Sequence, residues 1–335
     1  MDLELPLAAA RSSSPLAWAF RFDTKGQAIP IPSEEKIQLD CPDGGFVWCH
    51  LDLVDTRASD WLSSVDGLPK AARLLMLAQH NHPRLDFGDG FVWGTIIDFT
   101  REIDRVAEDV AHLHFVVGEK FMITGRRRHL EAVDALREHI AGGAKMDAPI
   151  GLFEHVMDRV VDAHTKLMQQ ISDGLYEIED RVLDNTFHGQ RHRLGPLRRK
   201  AARLLRQLNG IRAIFQRLDA APSKAVSEEV RGLATRLIQR IDSLHHELHT
   251  FQENARLLHD EIEAKRSTET NRNLYILTVL ATALMPPTFI TGIFGMNVKG
   301  LLFTDDQNGF IYAMLMCLAS AVAVLIPLRL LRRAR

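Results

Sequence analysis

Cysteine is scarce in this chain: Cys41, Cys49 and Cys317 are the only three in 335 residues. Three thiols do not make a disulfide framework, and a chain of this length needs none, because it can bury a sizeable apolar core. Cys41 and Cys49 stand near His50, but the step between the thiols is not a zinc-knuckle spacing, and packing is their expected role. There is no Gly-x-Ser-x-Gly elbow and no phosphate-binding glycine loop, so the sequence gives no ground for a hydrolase or a nucleotide site, and no catalysis is expected. The opening Met1-Asp2-Leu3-Glu4 carries acid where a secretory leader carries base, so the N-terminal region is expected to stay in the cytoplasm. A net charge of −2, 25% charged residues and a mean hydropathy near zero read as an ordinary soluble protein, and no nucleic-acid partner is expected.

That average hides an uneven distribution. The stretches 273–298 and 307–328 carry no charged residue, and each exceeds the roughly 20 residues that cross a bilayer core. Two membrane spans are expected, at 273–297 and 310–330. The arginines Arg329, Arg332, Arg333 and Arg335 place the tail, 331–335, in the cytoplasm. With both termini inside, residues 298–309 form the outer loop.

Ahead of the spans the chain changes character once. Residues 1–145 read as one α/β domain, with β-rich runs at Ala17–Phe22, Phe46–Val54, Phe91–Phe99, His112–Val117 and Phe121–Thr124 and turn signals around Gly44-Gly45 and Gly88-Asp89-Gly90. Helices are expected over Leu68–His80 and Arg127–Ile140, followed by a linker, Ala141–Pro149, rich in glycine. Residues 150–272 read as helical: Leu152–Thr186, then a basic helix Pro196–Leu218, then a third. The basic residues Arg198, Arg199, Lys200, Arg203 and Arg206 are expected to pair with Glu177, Glu179 and Asp180. In the third helix Val230, Leu233, Leu237, Ile241, Leu244, Leu248, Phe251, Ala255, Leu258 and Ile262 recur in steps of three and four. That is a heptad seam, which packs against copies of itself or against neighbouring helices. No proline or glycine separates Ile262 from Leu274, so this stalk is expected to run unbroken into the first span. The fold class is thus an α/β head, a long helical stalk and two C-terminal transmembrane helices.

The first span ends in Gly295-Met296-Asn297, preceded by Leu284-Met285-Pro286-Pro287-Thr288-Phe289 and by Asn271-Arg272-Asn273-Leu274 at its other end. Here the sequence resembles the CorA family of metal-ion transporters, and most closely its ZntB branch. The resemblance implies a homopentamer in the inner membrane whose first spans line one pore, with the second spans outside. It implies transport of a divalent cation, zinc first, with magnesium, cobalt or nickel open, with proton coupling also open, and with no permanently bound cofactor. It makes Gly295, Met296 and Asn297 the selectivity filter, and Asn271, Leu274, Leu277, Thr278, Met285 and Thr288 the pore lining. Asp305 and Asp306 would attract cations to the mouth, against Lys299. A ring of neutral Asn297 amides can hold a hydrated dication without trapping it. A magnesium or cobalt channel is the alternative within the family. A membrane-anchored scaffold, which only oligomerises, is the alternative outside it.

Histidines offer further metal ligands. His245 and His249 share one helix face, one turn apart, and are candidate ligands for a cytoplasmic metal, with His246 and Glu253 nearby. His246-Glu247-Leu248-His249 is one residue short of a zincin motif. His80 with His82, and His112 with His114, are expected to be polar surface.

Overall fold

In a computed structural model the chain is described over residues 14–32, 35, 37–39, 41, 44–78, 82–102, 105–222, 225–296 and 308–333. Strands and short helices come first: β1 (Leu16–Phe22), β2 (Ala28–Pro30), β3 (Phe46–Asp52), α1 (Ala58–Ser64), α2 (Lys70–Leu77), β4 (Arg84–Gly88), β5 (Phe91–Glu102), β6 (Arg105–Val117) and β7 (Phe121–Arg126). Helices alone follow: α3 (Glu131–Ala141), α4 (Pro149–Leu183), α5 (Gln190–Asp219), α6 (Glu228–Phe294) and α7 (Gly309–Arg333). The chain forms two compact units, one of Met1–Leu183 with His192–Arg256 and one of Asp184–Arg191 with Leu257–Arg335.

In the first unit the strands make one sheet in the order β2-β1-β3-β7-β6-β5-β4. All neighbours are antiparallel except β3 and β7, which run parallel. β3 is buried at every position but its last, as a central strand covered on both faces must be. Its alternation decides which side each residue serves. Val47, Cys49 and Leu51 join the cluster that includes Leu62 of α1 and Leu75 and Met76 of α2. On the other face His50 shares the buried Thr124 hydroxyl with Trp48, whose indole N–H donates to it at 2.9 Å. Phe115 and Phe99 of the sheet meet Phe153 and His164 of α4.

Most expected elements are present with shifted ends. Sequence reading missed β2, β4 and α1, which are three, five and seven residues long, too short to show a period. The segment 141–149 is docked rather than free: Met146 is buried, and its N–H donates to the Gly26 carbonyl at 2.9 Å. Gly26 itself sits at φ +74°, and a Cβ there would lie 2.8 Å from the Met146 carbonyl oxygen.

The seam of α6 is buried along its whole length, from Val230 to Ile262. In the first unit the seam is flanked by ion pairs to the chain's own helices: Arg236 with Glu154, Arg240 with Asp158 and Asp162, and Arg212 with Asp242. Within the first unit, of the two partners that a heptad pattern allows, the neighbours α4 and α5 take it. The basic face of α5 differs from expectation: Arg193 pairs with Glu177, while Arg198, Arg199, Arg203 and Arg206 are exposed and form no ion pair among the described residues. They lie off the buried side of the helix, which carries Leu194, Ala201, Leu204 and Leu208.

One buried carboxylate holds α3 to the sheet. Asp98 of β5 accepts the Phe99 N–H at 2.8 Å and the Ala132 N–H, in the first turn of α3, at 3.0 Å. Burial pushes its carboxyl up to about 7, against the pull of those two donors. This lies above the ~3.9 of an unfolded aspartate, so the folded state binds the proton more tightly. Its contribution to stability therefore falls as pH rises from about 4 to about 7. His164 has the opposite sign: burial lowers it to about 4, so its contribution is lost as pH falls from about 6.5 towards that value. All four tryptophans lie between Trp18 and Trp93, so tryptophan fluorescence reports on this unit. The stability of wild type relative to Asp98→Asn should fall by about 2–4 kcal/mol between pH 4 and pH 7.5 in denaturant titrations, and a difference that does not move with pH would remove this role from Asp98.

Candidate ion pore and metal-ligating residues

α6 is 67 residues long and passes from its buried seam into the uncharged stretch without a break. Among the described residues, α6 and α7 are the two helices long and apolar enough to cross a membrane, and their apolar windows are not buried inside the chain. This is the reverse of a soluble core helix.

Exposure marks one covered stripe along the apolar part of α6. Val279, Ala283, Pro286, Pro287, Ile290 and Phe294 are half-buried. Asn271, Leu274, Leu277, Thr278, Met285 and Thr288 are exposed, Met285 to 71%. At about 100° per residue the two sets centre on nearly opposite sides of the helix. On α7, Ala313, Cys317, Ser320, Ala321 and Val324 are half-buried at helical spacing, a stripe of mostly small side chains of the kind that packs helices closely in membranes. The Cys317 thiol donates to the Pro287 carbonyl at 3.8 Å, which fixes the side of α6 that α7 covers. The face from Asn271 to Thr288 lies on the other side.

Local chemistry shapes that bare face. Thr278 and Thr288 donate their hydroxyl protons to the carbonyls of Leu274 and Leu284, each at 2.8 Å. Their oxygens therefore present lone pairs outward, which suits a cation rather than an anion. Pro286 and Pro287 lie inside the helix and bring no N–H to the carbonyls four residues earlier, those of Thr282 and Ala283. The helix closes with Gly295 N–H on the Thr291 carbonyl and Met296 N–H on that of Ile293. Gly295 and Met296 are exposed. Asn297, Lys299, Asp305 and Asp306 lie outside the described residues, in the segment between Met296 and Asn308.

The histidine candidates separate. His245 is half-buried and His249 exposed, with ring centroids 5.8 Å apart. His114 is buried against the Thr95 hydroxyl, which corrects the expectation of surface for it. His82 is exposed, and His80 lies outside the described residues. Cys49 and His50 point to opposite faces of β3, and burial together with nearby Cys41 pushes the Cys49 thiol far up, keeping it protonated. Among the described residues no three metal-ligating side chains converge. Sequence reading missed two features here. One is the α7 stripe, visible as small residues at i, i+4 and i+7. The other is Asp242, three residues before His245 on the same face.

The CorA-like Mg2+ transporter protein model matches residues 43–333, which takes in strands β3 to β7, the helical bundle and both apolar helices. The chain belongs to this family. A zinc transport protein ZntB from Klebsiella pneumoniae subsp. pneumoniae is 24% identical over 309 residues, 92% of this chain and 91% of that protein. Among solved structures, full-length CmaX superposes with a TM-score of 0.78 at 24% identity, covering 96% of this chain and 99% of that one. The CorA magnesium transporter from Methanocaldococcus jannaschii gives 0.76 at 18% identity, covering 93% and 97%. The fold of this CorA-like chain is therefore shared along its length, apolar helices included.

If the bare face of α6 meets water in the membrane, single cysteines at Thr278 and Met285 should react with a charged thiol reagent in sealed vesicles, and cysteines at Ile276 and Leu280 should not. The background needs only Cys317→Ser, because Cys41 and Cys49 are buried. Equal labelling at all four positions would show that no side of the helix is distinguished.

Proposed function

We infer that this CorA-like chain carries divalent metal cations across the cell's inner membrane through a pore built from copies of itself, with zinc as the cargo. The observation that carries this reading is that α7 covers one side of α6, while the opposite side presents amide, hydroxyl, thioether and aliphatic groups from Asn271 to Met296. A pore needs such a side, and a single chain cannot close one. Five copies, the family's number by resemblance, would bring five such faces round an axis, with both termini in the cytoplasm.

The chemistry is recognition without bond making. Asn297 amides would hold the ion through its water shell, and Asp305 and Asp306 would raise its concentration at the mouth. The uncharged stretches 273–298 and 307–328 carry no Asp, Glu, His, Lys or Arg, so coupling to protons would run through the water-filled pore or the soluble unit. Zinc rests on the relatives named as zinc transport proteins, similar along 92% of the chain. Magnesium is the second reading, favoured by the family description itself. A hydrated-ion filter reads charge and size more than ligand softness, which is why the choice falls to measurement.

In proteoliposomes, zinc uptake should exceed magnesium uptake and disappear with Asn297→Ala. Acceleration by an inward proton gradient would assign coupled transport, gradient-independent magnesium flux would assign the channel reading, and no flux of any dication would leave a scaffold. Leu274 and Leu277, 55% and 62% exposed in the single chain, would form the dry constriction of the closed pore. Replacing both by serine should then give a constitutive leak, and flux equal to wild type would remove the gate from this place.

A further inference from the structure

A small hollow opens in the first unit between the start of α3 and the middle of α4. Its floor is the ring of Phe99, and its walls include Ala132 and Ala135 of α3 and Ala163 of α4. Three alanines leave open what larger side chains would fill. Asp98 fixes the shape, because its carboxyl accepts the N–H groups of Phe99 and Ala132 at 2.8 and 3.0 Å, so floor and wall are set before anything binds. The hollow holds about 160 Å³. An apolar cavity of ~150 Å³ takes up benzene, whereas drug-sized ligands occupy ~300–1,000 Å³, so the body that fits here is one ring or a short branched chain. Towards solvent the lining becomes charged. Arg159 and Lys166 of α4 are exposed there and form no ion pair among the described residues. Seven residues apart, they share one face of the helix at about 10 Å along its axis, with Ala163 between them. Asp162, in the same lining, is already paired with Arg240 of α6 at 2.7 Å. Glu131 is the remaining acid, so positive charge is in excess at the mouth.

We propose that this hollow binds a small amphipathic carboxylate, with its ring or short chain on Phe99 between the alanines and its charge held at the mouth by Arg159 and Lys166. The site does not depend on the transport reading. Each half of the ligand answers one half of the lining. The apolar body leaves water for a surface of aromatic and methyl groups, and the carboxylate meets a guanidinium whose paired N–H groups match its two oxygens. Lys166 adds a second positive charge on a flexible stem. Glu131 repels further negative charge, so a single carboxylate suits the mouth better than a phosphate monoester, which carries nearly two charges at neutral pH. A bound ligand touches α3 and α4 together, and so stabilises their junction by mass action.

The test uses the full-length protein in detergent and fluorine NMR of three probes that share one body and differ in charge: para-fluorobenzoate, para-fluorobenzyl alcohol and para-fluorobenzylamine, with protein-free detergent as the blank. Saturable binding of the benzoate is expected, with the amine weaker by about tenfold or more. Ala163→Leu fills the hollow from α4 and Ala135→Leu from α3, both at half-buried positions, and either should abolish benzoate binding. Tryptophan-fluorescence melting shows that each variant is folded. Arg159→Gln combined with Lys166→Gln should weaken the benzoate about tenfold and leave the alcohol unchanged, a split that a purely structural role for these two residues would not produce. Wild-type benzoate binding in the folded leucine variants, an amine bound as tightly as the benzoate, or no saturable benzoate binding at all would each overturn the site. Asn297→Ala should bind the benzoate as wild type does, so a failure of transport and a failure of this site read out separately.

Discussion

One helix must satisfy two solvents, and the rest of the molecule follows from how α6 does so. From Val230 to Ile262 it buries an apolar seam against protein, and from Leu274 onward most of its apolar residues are exposed. Each fully buried leucine or isoleucine of the seam contributes roughly 1.5–3 kcal/mol, whereas an exposed ion pair such as Arg236 with Glu154 contributes about 0–1 kcal/mol. The seam therefore holds the bundle, and the charged ladder beside it sets register and partner. The same helix meets the opposite demand in its second half. A lipid environment offers no hydrogen bonds, so the backbone must satisfy itself. The threonine hydroxyls bonded to carbonyls one turn back, and the cysteine thiol of α7 on the Pro287 carbonyl, keep these side-chain donors satisfied within the apolar helices.

The sheet solves a different problem, that of burying polar groups. His50, Thr124, His114, Thr95 and Asp98 are all enclosed, and each is held by a specific partner: the Thr124 hydroxyl serves both Trp48 and His50, Thr95 meets His114, and Asp98 takes two backbone N–H groups. A buried polar group left unpaired costs more than a paired one gains, so Asp98 fixes where α3 rests on the sheet and the other contacts tie neighbouring strands together. They also explain why titration of the soluble unit has two opposing signs: burial keeps Asp98 protonated to higher pH and keeps His164 neutral to lower pH.

Family membership and geometry meet at the C-terminal helices. The matched region reaches residue 333 and includes both apolar helices, and the side of α6 that α7 leaves bare is the side that carries Asn271, Thr278, Met285 and Thr288. That side presents an amide, hydroxyl oxygens turned outward and a thioether.

Period and charge determined much of this from sequence alone. Two long uncharged stretches, a seam in steps of three and four, and a Gly-Met-Asn at the end of the first stretch are one-dimensional patterns, and a helix converts them into faces by a fixed rotation. What the sequence did not determine were choices between partners. The heptad pattern allows copies or neighbours, and only the packed bundle seats it on α4 and α5. The arginines of α5 have acidic residues nearby in sequence, yet the helix turns four of them away. Met146 reads as linker and is docked on Gly26. Asp98 carries no signal, because a carboxylate that caps a helix 34 residues away is recognised only once the chain has brought strand and helix together. Those outcomes depend on contacts between distant segments, and distance in space is the one quantity that order along the chain does not contain.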